Sequence, residues 1–173
     1  MQSVHNDLFN YDINIAYNSE IIDIKQNIDG FLVKVKNPDG NYDQIKSKIL
    51  INSAGLNSYK ISKMLGLGND DYKLHFWKGE YFSVNTKKKF ILNSLIYPLP
   101  LKNNEGLGIH TTIDIAGRLK LGPNAIYIGE NFDGDYSINK RSKSLFFESV
   151  KTYLPFLKID DIEPDQSGIR PKL

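Results

Sequence analysis

Residues 49–66, ILINSAGLNSYKISKMLG, limit the folds open to this chain more than any other stretch. Apolar residues run into a small Ser53-Ala54-Gly55 turn and then into an amphipathic segment. The spacing predicts a helix over 57–65, with Asn57 or Ser58 as N-cap, Ile61, Met64 and Leu65 on one face, and Gly66 as its stop. Residues 48–52 are more apolar than the strands before them, as expected of a strand covered on both faces inside a buried sheet. Asn52, Ser53, Ala54 and Gly55 then sit at the carboxyl end of a strand, just before a helix. There backbone N–H groups can meet a phosphate or a ring system, and small side chains allow close approach. A tight turn with no ligand is the competing reading. No glycine-rich phosphate loop precedes this corner anywhere in the sequence.

Before it, INIAYNSEIIDIKQN (13–27) and FLVKVKNPDGNYDQIKSKILIN (31–52) alternate apolar with polar residues, the period of half-buried strands. Turns at Ile28-Asp29-Gly30 and Asn37-Pro38-Asp39-Gly40 join them into a β-meander. Beyond Gly68 the texture changes. LHFWKGEYFSVN, FILNSLIYPLP, GLGIHTTIDIAGRLKLG and AIYIG predict an antiparallel or mixed sheet of about four or five strands. A helix over 139–154, with Leu145, Phe146, Val150 and Tyr153 or Leu154 inward, should pack on one side of it and halt before Pro155. The connector LGLGNDD places a domain boundary between about residues 66 and 71. The expected class is α+β, with domains at 1–66 and 67–163 and a final segment at 164–173.

Composition excludes several functions. The formal charge of +2, from 22 basic and 20 acidic side chains among 173 residues, gives no global field for nucleic acid. Cysteine is absent, which removes disulfides, thiolate metal sites and a Cys nucleophile. His5, His75 and His110 lack metal-ligand spacing, so no metal is expected. No window approaches the apolar length of a membrane-spanning helix, and the expected setting is cytoplasmic. The Lys87-Lys88-Lys89 run reads as a solvated turn.

INSAGLNS, WKGEYF, LIYPLP, GLGIHTTIDIAGRLKLGPNA and DQSGIRPKL, in this order, resemble the middle and late portions of FAD-dependent oxidoreductases of the D-amino-acid oxidase superfamily. Within it they are most similar to the L-2-hydroxyglutarate dehydrogenase/oxidase group. The resemblance implies a Rossmann-like FAD domain, here represented in part, interleaved with a substrate domain on a mixed sheet. It implies FAD as cofactor and a small 2-hydroxy acid, L-2-hydroxyglutarate-like, as substrate. The chain departs from the family pattern because GxGxxG is absent. A close glycine cluster, Gly106-Leu107-Gly108, meets Thr111 where the third glycine belongs, and the chain stops soon after the GIRP motif. The missing first βαβ unit supplies most adenine and pyrophosphate contacts. Weak FAD binding by this chain alone is therefore expected: a separate N-terminal FAD-domain polypeptide supplies that half, or the chain is the product of a split or decayed gene, or it is a piece cut from a longer protein.

The resemblance also assigns residues. Arg170 in GIRP would clamp the substrate carboxylate through its guanidinium fork, against a surface ion pair as the plain alternative. His110 would be the base or an electrophilic donor. Tyr97 would place its hydroxyl over the flavin or on the substrate, and Lys78 would add a substrate contact. Asn52, Ala54, Gly55, Gly168 and Ile169 would line the cofactor, while Trp77 is expected to pack. A non-catalytic domain binding a small carboxylate or a protein partner is the reading from another class. Open strand flanks predict self-association as a homo-oligomer.

Overall fold

The computed structural model describes residues 2–85, 92, 94–99 and 108–173. Lys87, Lys88, Lys89, Gly106 and Leu107, singled out above, lie outside the described residues. The chain divides into two compact units, Met1–Tyr72 and Lys73–Leu173.

The first unit begins with helix α1 (Gln2–Leu8), none of whose residues is buried. Its body is an antiparallel three-stranded sheet, β1 (Glu20–Asn27), β2 (Gly30–Lys36) and β3 (Tyr42–Ser47), in the order β1-β2-β3. The meander forms as the alternation requires. Gly30 turns β1 into β2 at φ +132, where an added Cβ would lie 2.2 Å from the Ser47 carbonyl oxygen. Val33 and Val35 of β2 and Ile24 of β1 are buried on one face. Helix α2 (Ser58–Met64) packs Ile61 there, with Met64 and Leu65 alongside. Leu32 and Lys34 face the other way with Asp23, Lys25 and Gln44, and the Lys34 ammonium stands 4.7 Å from the centroid of the Tyr42 ring.

Three expectations need correction here. Residues 48–52 do not form a strand: β3 ends at Ser47, and Ile49 and Ile51 are 75% and 81% exposed. An extended segment becomes a strand only when a neighbour takes up its backbone N–H and C=O groups, and no described strand lies beside this one. Only 20–27 of the 13–27 segment is strand, because β2 ends at Lys36 opposite Glu20 and leaves Ile13 and Ile15 unpaired and exposed. Finally, α2 starts one residue later than predicted, after a 3-10 turn at Gly55–Asn57. Asn57 occupies its N-cap without a side-chain capping bond. The stop at Gly66 is as read: its N–H donates to the Lys63 carbonyl and φ is +74.

The second unit is built around one long strand, β4 (His75–Val84). Strands β5 (Thr111–Ile113), β6 (Leu119–Leu121), β7 (Ile126–Gly129) and β8 (Ile162–Lys172) complete a five-stranded sheet among the described residues, all pairs antiparallel. β8 pairs along the whole of β4, from His75 opposite Lys172 to Val84 opposite Ile162. β7 and β6 share the other edge of β4, β7 at its start and β6 near its end. On one face Phe82, Leu121 and Ile162 meet Phe146 and Val150 of helix α3 (Ser142–Val150), followed by Leu154 and Leu157. The Phe82 and Phe146 rings pack 4.5 Å apart.

α3 is shorter than the predicted 139–154 helix, and Leu145 is 55% exposed rather than inward. Phe146 and Val150, four apart, carry the buried stripe, and Leu145 falls a full residue's rotation off it. β8 was not foreseen as a strand. Pro164, Gly168 and Pro171 break the usual strand signal, yet β4 overrides them by pairing with residues along its whole length.

Candidate functional site

Strand alternation sorts the residues of β4 between two environments. Phe76, Lys78, Glu80 and Phe82 point into the buried face, whereas His75, Trp77, Gly79, Tyr81 and Ser83 line the more open one. Because Trp77 stands directly opposite Arg170 and His75 opposite Lys172, those four share the open face. Tyr127 of β7 joins them: its ring lies 5.4 Å from Trp77, and its hydroxyl bonds His75 Nδ1 at 2.8 Å. The Lys172 ammonium sits 4.4 Å from the Trp77 ring centroid, a cation–π contact. Arg170 pairs with Trp77 through its backbone, and its exposed side chain has no hydrogen bond, ion pair or ring contact with any described residue. The surface ion pair weighed against the clamp is therefore not formed.

Lys78 goes elsewhere. Paired with Ile169, it lies on the face opposite Arg170. It is buried and donates to Asp135 at 3.2 Å. Asp135 is held down at about 2 by hydrogen bonds from the Ser137 side chain and N–H and then by Lys78, so a carboxylate stays in place to balance the buried ammonium. Next along this face, Glu80 is 1% exposed. Its Oε2 accepts from Asn124 Nδ2 (2.9 Å), its Oε1 from the Asn139 N–H (2.7 Å), and Asn124 Oδ1 accepts the Glu80 N–H (2.7 Å). This clasp ties β4 to the turn after β6 and to the approach to α3. Sequence reasoning passed over Glu80 because only the fold shows that its neighbours are buried.

His110 and Tyr97 are brought together: their rings stack at 4.4 Å and 22°. His110 is 7% exposed, and Tyr97 is 48% exposed. The segment carrying His110 is fixed on several sides. The Gly122 N–H donates to the His110 carbonyl (2.9 Å), Tyr153 Oη donates to the Ile109 carbonyl (2.8 Å), and Thr111 exchanges two bonds with Ile96 (3.0 and 2.7 Å). Gly108 turns the chain at φ +71, where an added Cβ would meet Pro98 at 2.8 Å, so the Tyr97-Pro98 segment closes against it. His110 Nδ1 lies 3.0 Å from the Gly108 carbonyl oxygen. A carbonyl only accepts, so Nδ1 carries a proton, and in the neutral tautomer of the ring Nε2 holds the lone pair. No described contact joins this pair to Arg170.

In the first unit, Asn52 shapes the corner itself. Its Oδ1 accepts the Ala54 N–H at 3.3 Å and its Nδ2 donates to the Ser58 carbonyl at 2.9 Å. Ala54 and Gly55 are exposed, and no atom lies within 4 Å of a Cβ placed on Gly55.

The family model for FAD dependent oxidoreductase (DAO) matches residues 3–173. This chain belongs to the DAO family of FAD-dependent oxidoreductases. It is 36% identical over 137 residues to the mitochondrial L-2-hydroxyglutarate dehydrogenase of Arabidopsis thaliana, covering 72% of this chain and 27% of that protein. The L-2-hydroxyglutarate dehydrogenase of Escherichia coli K12 is 28% identical over 90% of this chain and 43% of its own length. The chain therefore spans less than half of the curated relatives it matches. In fold it is similar to the dithionite-reduced, FAD-bound L-α-glycerophosphate oxidase of Mycoplasma pneumoniae (TM-score 0.70, 23% identity, 89% of this chain, 38% of that one). It is also similar to L-proline dehydrogenase from P. horikoshii (TM-score 0.56, 16% identity, 88% and 37%).

The cofactor of this DAO family is FAD. A Cβ on Gly168 would meet nothing within 4 Å, as at Gly55, so a flat ring or a phosphate can reach the backbone at either place. Among the described residues no helix is long and apolar enough to cross a membrane.

Proposed function

We propose that this chain supplies the substrate-facing sheet and one corner of the FAD site of an oxidoreductase that oxidises a small 2-hydroxy acid of the L-2-hydroxyglutarate type. The Arg170 guanidinium, without a partner among the described residues and on an open sheet face beside the uncovered Gly168, is the observation that carries this reading. In the second unit Gly168, on the face of Arg170, would meet FAD, which supplies the hydride acceptor when bound, with Ile169 contributing through its backbone; in the first unit Asn52, Ala54 and Gly55 form an uncovered corner that a nucleotide can approach. Arg170 fixes the substrate carboxylate as a two-pronged ion pair, setting the direction of the carbon that is oxidised. His110 takes the hydroxyl proton at Nε2, the nitrogen left free by the bond from Nδ1 to Gly108. Tyr97 stacks on that ring and holds its plane. Lys78, paired with Asp135 on the other face, serves the fold in place of the substrate.

The exposed Ile49 and Ile51 support a further βαβ segment beside the first unit, carrying the phosphate loop that residues 1–173 lack. The test is turnover of L-2-hydroxyglutarate with FAD and a dye acceptor, on the chain alone and completed with an N-terminal FAD-domain polypeptide. Arg170→Ala should lower kcat/KM by the equivalent of ~2–5 kcal/mol. Unchanged kinetics would retire the clamp.

A further inference from the structure

Arg170 does not stand alone on its face. Lys172 follows it at the two-residue spacing that returns a strand to the same side, so the two Cα atoms are about 7 Å apart. The register places Lys172 opposite His75 and Arg170 opposite Trp77. The Lys172 ammonium is held over the Trp77 ring at 4.4 Å and makes no ion pair with a described residue. Glu130, just after β7, is already paired with Lys73 at 2.6 Å, and its carboxyl is held below its ordinary value by Lys73 first and more weakly by His75. Two cations therefore look onto one open surface, and no described acid neutralises either.

A lone carboxylate satisfies only one of them. From this geometry we infer that Lys172 is a specificity-determining residue, selecting a small acid that carries a second anionic group at the end of a short carbon chain. Arg170 takes one anionic end in its planar fork, and Lys172 swings off the Trp77 ring to meet the other as a point charge. The inference rests on the role proposed for Arg170. Trp77 forms the floor between the two, and Tyr127, bonded to His75, closes the side away from β8. An acid without the second charge leaves Lys172 on its aromatic perch.

Trp77 is the only tryptophan in the chain, so its fluorescence and indole N–H resonance report on this face alone. The full chain is titrated with glutarate and with pentanoate, which match in length and differ by one carboxylate, and affinity is read from the indole resonance and by calorimetry. Glutarate should bind roughly fivefold more tightly, the upper end for an exposed ion pair. Lys172→Gln should abolish that preference while leaving pentanoate binding unchanged. Arg170→Ala should weaken both acids together. A glutarate preference that survives Lys172→Gln overturns the inference, as does equal binding of the two acids or no binding by the unaltered chain. If Arg170→Ala binds both acids normally while Lys172→Gln loses the preference, the Arg170 clamp fails and the selectivity of Lys172 stands. Both residues are at the surface, and an unchanged thermal midpoint confirms that each variant is folded.

Discussion

The two units solve the same problem, burying a sheet face under a helix, with unequal success. In Lys73–Leu173 the long pairing of β8 with β4 joins residues about ninety positions apart and encloses Phe82, Leu121, Phe146, Val150 and Ile162, each fully buried. In Met1–Tyr72 the strand pairings are between neighbours in the chain, the core is Ile24, Val33, Val35 and Ile61, and Phe9, Tyr11, Ile49 and Ile51 remain exposed. The second unit carries a closed core and even spends part of it on Lys78 and Glu80. The first keeps apolar residues in reserve, because its corner lacks neighbouring strands among the described residues. Closure is thus a matter of non-local pairing and not of apolar content.

The largest expected effect probes the closed core. Phe82→Ala should cost about 3–5 kcal/mol, seen as early melting of the second unit with the amide exchange of β1–β3 unaffected. Loss of protection in both units together would mean that they fold as one. Glu80→Ala comes next. It strips the acceptor from the Asn124 amide and the Asn139 N–H and should cost about 1–3 kcal/mol for each donor left unsatisfied. A neutral result in chemical denaturation would show that water takes its place.

For the first unit, Ile24→Val should cost only about 0.5–1.5 kcal/mol, confined to the exchange of β1 and β2. Smaller still, Ile49→Ser and Ile51→Ser should shift stability by less than about 0.5 kcal/mol while improving solubility. A large loss there would show that these residues are covered in solution.

Acid offers a separate handle on the second unit. The folded Asp135 carboxyl lies near 2 against an ordinary value of 3.8, so its contribution is complete above about pH 4 and fades as pH falls toward 2. Asp135→Asn should flatten that part of the pH–stability curve. A curve of unchanged shape would free Lys78 from its assigned role as the partner held by this carboxylate.

Much of the architecture was legible because alternation and turn chemistry are local. The meander, the Gly30 turn, α2 with its Gly66 stop, β4 and β7 announce themselves within about ten residues. By contrast, FILNSLIYPLP, expected as a strand, is not one over residues 94–99, and GLGIHTTIDIAGRLKLG, expected as one strand, folds back on itself as β5 and β6. β8 did not announce itself, since two prolines and a glycine mask a strand whose stability comes from a partner far away in the chain. At the site, Arg170, His110 and Tyr97 were marked by their motifs, yet the stacking of His110 on Tyr97 depends on residues 97 and 110 meeting across a connection. The WKGEYF motif does not say which face of β4 Lys78 takes; register places it opposite Ile169, on the Asp135 side. Lys172 went unmarked for the same reason: without β8, its two-residue offset from Arg170 carries no meaning.

By itself, then, the sequence determined which residue types were available and where the chain must turn: a corner of small residues, a meander, and a cationic end. Only the tertiary structure decided the sides. Strand register placed Arg170 and Lys172 on an open face with Trp77 and sent Lys78 and Glu80 inward. In a sheet the partner strand, through hydrogen bonds between distant backbones, fixes which alternate residues are covered.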